Sequence, residues 1–154
     1  MLNNQLDKTD QDILNELIKN ARKSYSQVAR DLGISNSLVH QRINKLSEAG
    51  IIKGTQVILD EKLLGYRTAA FTGIALKEAK GSYQVARELR KIPEVSECHF
   101  ISGTFALFVK IFAKDNNHLR SVLYDKIHRI KGVASTDTFI SFNMDFNRPA
   151  PFDQ

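Results

Sequence analysis

The chain contains no tryptophan, one cysteine and three prolines among its 154 residues. A single thiol excludes an intrachain disulfide framework and a zinc site of clustered cysteines, so packing must hold the fold. Cys98 itself reads as a small buried core residue. Long apolar runs are missing as well: the longest, Phe105 to Val109, has five residues against the roughly 20 that cross a bilayer. No apolar stretch opens the chain, which predicts a cytoplasmic protein. No phosphate-binding glycine loop, metal-ligand cluster or nucleophile–base pair is visible, so neither a cofactor nor catalysis is expected.

Hydrophobic residues at 42% and charged residues at 25% supply an ordinary globular core, which excludes disordered and fibrous classes. The 22 Lys and Arg against 17 Asp and Glu leave a net charge of +5, and the excess is local. Residues 1–19 carry two bases and four acids, whereas residues 20–54 carry six bases and two acids. A positive segment in a modestly basic chain points to a polyanionic partner.

The same segment has helical signals. Ile13, Leu14, Leu17, Ile18 and Ala21 keep helical spacing, with Asp7 or Thr9 as cap and Asp10 and Asp12 favouring the dipole, which predicts a helix from Lys8 to Asn20. Ser24-x-x-Gln27 has capping-box spacing before Val28, Ala29 and Leu32, giving a short second helix. Gly33 supplies a left-handed position, and Ser35 caps a third helix from Asn36 to Ala49. A short helix, a tight glycine turn and a longer helix form a helix-turn-helix, whose second member lies in the major groove. On a helical projection Val39, Ile43 and Leu46 face the core. Ser37, Gln41, Asn44 and Lys45 lie opposite, with Asn36 and His40 toward the edge of that face. Short donors and acceptors of this kind read base edges. The expected base readers are Asn36, Ser37, His40, Gln41 and Asn44, and the expected phosphate contacts are Arg22, Arg42, Lys45 and Lys53. Arg42 lies near the core edge, where Asp31 or Glu48 would be its alternative partner. Ile51 to Leu59 reads as a strand pair or one long strand, a wing that carries Lys53.

After residue 60 the pattern changes to strands. Strands over Ala70–Leu76, Val95–Ser102, Phe105–Ala113 and Val133–Met144 alternate with a helix capped by Ser82 and one capped by Asp115 or Asn116. The second of these helices runs to Gly132 with Leu119, Val122, Leu123, Ile127 and Ile130 on one face. The order βαββαβ predicts a ferredoxin-like αβ-sandwich behind a winged helix-turn-helix, an α+β chain with domains at 1–60 and 67–154 and a linker at 61–66. Helices cover only one face of such a sheet, yet strand three is apolar on both. Phe108, Phe112, Ile140 and Phe142 therefore predict burial against a second copy, and a dimer would bring two reading helices to successive grooves.

These residues carry a family resemblance. Leu6-Asp7-Lys8-Thr9-Asp10-Gln11-Asp12-Ile13-Leu14, Val28-Ala29-Arg30-Asp31-Leu32-Gly33-Ile34-Ser35 and Val39-His40-Gln41-Arg42-Ile43-Asn44-Lys45-Leu46, with Gly50-Ile51-Ile52, resemble the leucine-responsive regulatory protein/AsnC family of transcription regulators. The likeness continues through Leu64-Gly65, Ser102-Gly103, Gly132-Val133 and Thr136-Asp137-Thr138. It implies a homodimer joined through the C-terminal sheets, often assembled further into octamers, and an amino acid or related effector near the contacts between dimers. By position, the effector region is Gly103, Thr104 and Ala106 with Thr136 and Thr138. Many amino-acid-responsive members have Asp where this chain has Ala106, and that carboxylate suits an α-ammonium group. Its absence implies a ligand held differently, another class of ligand, or none.

Two other readings stay open at this point. Chains similar to this family form siroheme decarboxylases, which need histidines in a basic pocket, and His99, His118 and His128 lie in the C-terminal half. A nucleoid-organising DNA-bridging protein is the other, distinguished by salt-dependent binding without site preference.

Overall fold

The computed structural model describes residues 6–152; the outermost residues of the two expected domains, 1–5 and 153–154, lie outside it. The chain forms two compact units, one ending at Ile58 and taking in the segment from Arg148, the other spanning Leu59–Asn147. Among the described residues no helix is long and apolar enough to cross a membrane.

Each helix of the first unit starts where its sequence supplies a cap. In α1 (Lys8–Lys19) the Asp7 carboxylate accepts from the Asp10 N–H at 2.9 Å, and the Asp10 side chain accepts from the Asp7 N–H, so two aspartates form the capping box. Ser24 caps α2 (Tyr25–Leu32), but Gln27 does not complete the expected reciprocal bond; its amide donates to Asp31 at 2.7 Å instead. Gly33 ends α2 at φ 66°, and Ser35 caps α3 (Asn36–Glu48) by accepting from the Leu38 N–H. Val39 and Ile43 of α3 close with Ile13, Val28 and Ala29 into one buried cluster. A further tie joins α1 and α2: the Lys23 ammonium bridges Glu16 and Asp31.

The reading of Ile51–Leu59 as strand is not met. Among the described residues the segment has no ladder partner, and Val57 and Ile58 stand 82% and 90% exposed. High β-propensity does not make a strand when no neighbour offers hydrogen bonds.

The second unit has the expected order. β1 (Thr68–Leu76), α4 (Ser82–Leu89), β2 (Val95–Phe100), β3 (Leu107–Ala113), α5 (Asn116–Ser121) and β4 (Val133–Ser141) build an antiparallel sheet ordered β2-β3-β1-β4. Ala70, Ile74, Leu107, Val109 and Ile111 pack from the sheet against Val85, Leu89, Leu119, Val122 and Ile127 from the helices. The last helix is not regular: α5 passes at Val122–Ile127 into a π turn. The register assigns the other face of the sheet. Phe71 pairs with Lys110 and Phe139, Gly73 with Phe108, and Ala69 with Phe112, so these side chains share the uncovered face. Ile140 pairs with buried Ala70 and therefore stands on the helix side, not on the open face where the sequence placed it. Phe142 lies beyond β4 and is 94% exposed.

Cys98 also departs from expectation. It is exposed, because β2 is an edge strand and only Val95 of that strand is even half covered.

Candidate nucleic-acid interface

The caps and the core fix which side of α3 meets solvent. With Val39, Ile43 and Leu46 buried, Asn36, Ser37, His40, Gln41, Asn44 and Lys45 are all exposed. The Ser37 hydroxyl lies 3.0 Å from that of Ser35, and the His40 ring meets Tyr25 edge-on at 4.7 Å between centroids. Among the described residues no partner engages the side chains of Asn36, Gln41 or Asn44, so their amides are available to a ligand. Arg22 and Lys53 are exposed as well.

Arg42 differs from its neighbours. Neither Asp31 nor Glu48 is its partner, since Asp31 is taken by Lys23. Its guanidinium instead donates to Asp7 and, at 3.2 Å, to Asp10. Lys45 approaches the same buried Asp10 carboxylate at 3.6 Å. The Asp10 N–H and, against the pull of partial burial, the Arg42 guanidinium hold the Asp7 carboxyl below its ordinary range, and Asp7 raises Arg42 in turn. The sequence showed Asp7 as a cap and Asp10 as a residue favouring the helix dipole; their shared role toward Arg42 depends on how two helices pack.

In the second unit Gly103 has φ +116° in the exposed turn before β3, with Thr104 exposed and Ala106 half-buried. The Ala106 N–H donates to the Ile74 carbonyl at 3.0 Å. Thr136 and Thr138 lie on β4, but neither hydroxyl is free: Thr136 Oγ1 is 2.7 Å from His128 Nε2, and Thr138 Oγ1 is 2.9 Å from that of Thr72. Sequence reasoning did not find His128 and Thr72 as partners, because cross-strand and helix–strand contacts leave no local signal.

The histidines do not converge. His99 stands 3.4 Å from Glu97, and His118 accepts from the Lys114 N–H at Nδ1 while its Nε2 reaches Glu94 at 3.2 Å. Burial acts most strongly and raises the Glu94 carboxyl, but the Lys126 ammonium at 2.7 Å, a backbone N–H and His118 together leave the group below its ordinary range. No cluster of His, Cys, Asp and Glu among the described residues could hold a metal ion.

Comparison with known proteins finds two matched stretches. Residues 6–53 match the model of a winged helix-turn-helix DNA-binding domain, and residues 69–149 match that of the Lrp/AsnC ligand binding domain. The chain belongs to the Lrp/AsnC family. It is 41% identical to the regulatory protein AsnC of Haemophilus influenzae over 136 residues, covering 88% of this chain and 91% of that one. AsnC of Escherichia coli K12 is 36% identical over 140 residues, which cover 91% and 92% of the two chains. The solved structure of E. coli AsnC superposes with a TM-score of 0.87 at 34% identity, over 94% of this chain and 97% of that one. A transcriptional regulator of Neisseria meningitidis, solved as a complex with L-Met, superposes with a TM-score of 0.86 at 25% identity, over 92% and 93%. The protein is thus a DNA-binding transcriptional regulator of the Lrp/AsnC type, with a winged helix-turn-helix ahead of the ferredoxin-like domain.

Proposed function

We propose that this regulator reads duplex DNA through α3, with Asn36, Ser37, His40, Gln41 and Asn44 toward base edges and Arg22, Lys45 and Lys53 toward phosphates. The observation that carries this reading is the exposed polar face of α3, on which Asn36, Gln41 and Asn44 have no partner among the described residues, beside a buried apolar one. Residues 1–60 serve as the DNA-binding module and residues 61–66 as the linker. Residues 67–154 join two copies through the open sheet face of Phe71, Phe108, Phe112 and Phe139, and four such dimers assemble into an octamer. The protein works in the cytoplasm, by binding and not by catalysis; each C-terminal histidine is already engaged by a different neighbour.

The effector region is the turn of Gly103, Thr104 and Ala106 with Thr136 and Thr138. The L-Met complex of the Neisseria relative supports an amino acid or a related molecule as the class of ligand. In this chain Ala106 offers no carboxylate to an ammonium group, so the response differs from that of Asp-bearing relatives or is absent. The test of the main reading is selection of preferred duplexes from a random pool, repeated with Gln41→Ala and Asn44→Ala. Loss of preference in the variants is expected. An unchanged preference would remove α3 as the reader.

A further inference from the structure

Arg42 and Lys45 stand on the helix assigned to DNA, yet their surroundings differ. The Arg42 side chain is 25% exposed and grips two carboxylates, of which Asp10 is 1% exposed. Lys45 is 59% exposed and touches Asp10 only at 3.6 Å. Arg42 cannot turn to a phosphate without leaving a buried carboxylate poorly compensated, whereas Lys45 detaches with little loss.

The two aspartates are themselves fixed, since each caps the other's backbone at the start of α1. A planar guanidinium held by two anchored carboxylates resists rotation of α3 about its axis. On a helix of about 6 Å outer radius, a rotation of about 10° moves a side-chain tip by about 1 Å. Gln41 precedes Arg42 directly and Asn44 follows two residues later. A shift of that size at their amides spoils hydrogen bonds to base edges while leaving attraction to phosphates almost unaltered.

We infer that Arg42 is a positioning residue: held by Asp7 and Asp10, it sets the rotation of α3 and so aims Gln41 and Asn44, while Lys45, Lys53 and Arg22 supply the phosphate charge. This rests on the reading of α3 as the DNA-contacting helix, and it removes Arg42 from the phosphate contacts that the sequence suggested.

The test uses the full-length protein, a duplex selected from a random pool by wild type, and an unselected duplex. Affinities for both are measured from about 50 to 200 mM salt for wild type, Arg42→Gln, Arg42→Lys and Lys53→Gln. Both Arg42 variants are expected to lose about tenfold on the selected duplex, with the unselected duplex and the salt slope unchanged. Arg42→Lys keeps a charge beside Asp10, so it decides the matter if Arg42→Gln does not fold. Lys53→Gln is expected to weaken both duplexes and flatten the slope by about 0.9. A slope flattened to that extent by Arg42→Gln, or wild-type behaviour of Arg42→Lys on both duplexes, overturns the inference. Those results leave the reading of α3 standing, which fails separately if Gln41→Ala and Asn44→Ala keep the wild-type preference.

Discussion

The hydroxyls of Thr72 and Thr138 lie 2.9 Å apart across the β1–β4 pair, and Thr72 is fully buried. Thr138 is thereby half of a satisfied hydroxyl pair before any ligand arrives. Thr136 is in the same position with His128. A polar ligand at these threonines must displace a bond already made or share the oxygen's remaining lone pair.

The effector response can therefore be predicted. Calorimetric titration of wild type with the common amino acids is expected to give weak heats or none, and Ala106→Asp to gain binding through a new ammonium partner. Tight wild-type binding of an unmodified amino acid, abolished by Thr138→Ala, contradicts this.

Base contacts and phosphate contacts separate by their signatures. Gln41→Ala or Asn44→Ala is expected to cost about 1–3 kcal/mol at one operator position and nothing elsewhere. Lys45→Gln is expected to weaken all duplexes alike with a shallower salt dependence. Competition binding against single-position operator variants checks both.

The open face of the sheet makes its own prediction. Burial of a large side chain is worth roughly 1.5–3 kcal/mol, and Phe71, Phe108, Phe112 and Phe139 share that face, so Phe108→Asp or Phe139→Asp is expected to yield monomers. Sedimentation at low micromolar concentration reads the outcome. A stable wild-type monomer there would sink the dimer proposal.

Acid weakens the first unit. Lys23 lowers the carboxyl of Asp31, aided by Gln27, and that of Glu16, aided by Lys19; the Asp10 N–H and Arg42 lower that of Asp7. A carboxyl lowered in the folded state contributes stability that is full above its unfolded pKa and is lost as pH falls through the folded value. Urea midpoints are expected to be flat with respect to these groups above about pH 5 and to fall below about pH 4. Lys23→Gln is expected to shrink that fall; an equally steep loss in the variant would assign the acid sensitivity elsewhere.

Position 73 favours glycine. A Cβ there would lie 2.4 Å from the Phe105 ring, which rests on the β1 backbone. Gly73→Ala is expected to cost about 1–3 kcal/mol, read from thermal unfolding, or to push Phe105 off the sheet.

Local signals were legible in the sequence. Ser24, Gly33 and Ser35 delimited the helix-turn-helix because capping and left-handed turns depend on adjacent residues. The polar face of α3 was legible for the same reason. The engagement of Arg42 was not, since Asp7 and Asp10 lie 35 and 32 residues away and only the packing of α1 on α3 brings them together. Strand register is equally hidden: alternation grouped Ile140 with Phe142, but only pairing with Ala70 reveals which face Ile140 takes. The exposure of Cys98 follows from an edge position that no local pattern encodes.

The π turn at Val122–Ile127 holds one residue more than an α-helical turn would need over the same rise. That surplus makes the helix unequal in its response to changes of length. Deleting a residue within the turn lets it relax into regular α-helix, whereas inserting one has no such outlet. Either change rotates the C-terminal end against its N-terminal end, and with it the Lys126 grip on Glu94 and the His128 contact to Thr136. The spare residue thus keeps two otherwise unrelated polar contacts in phase along one short helix.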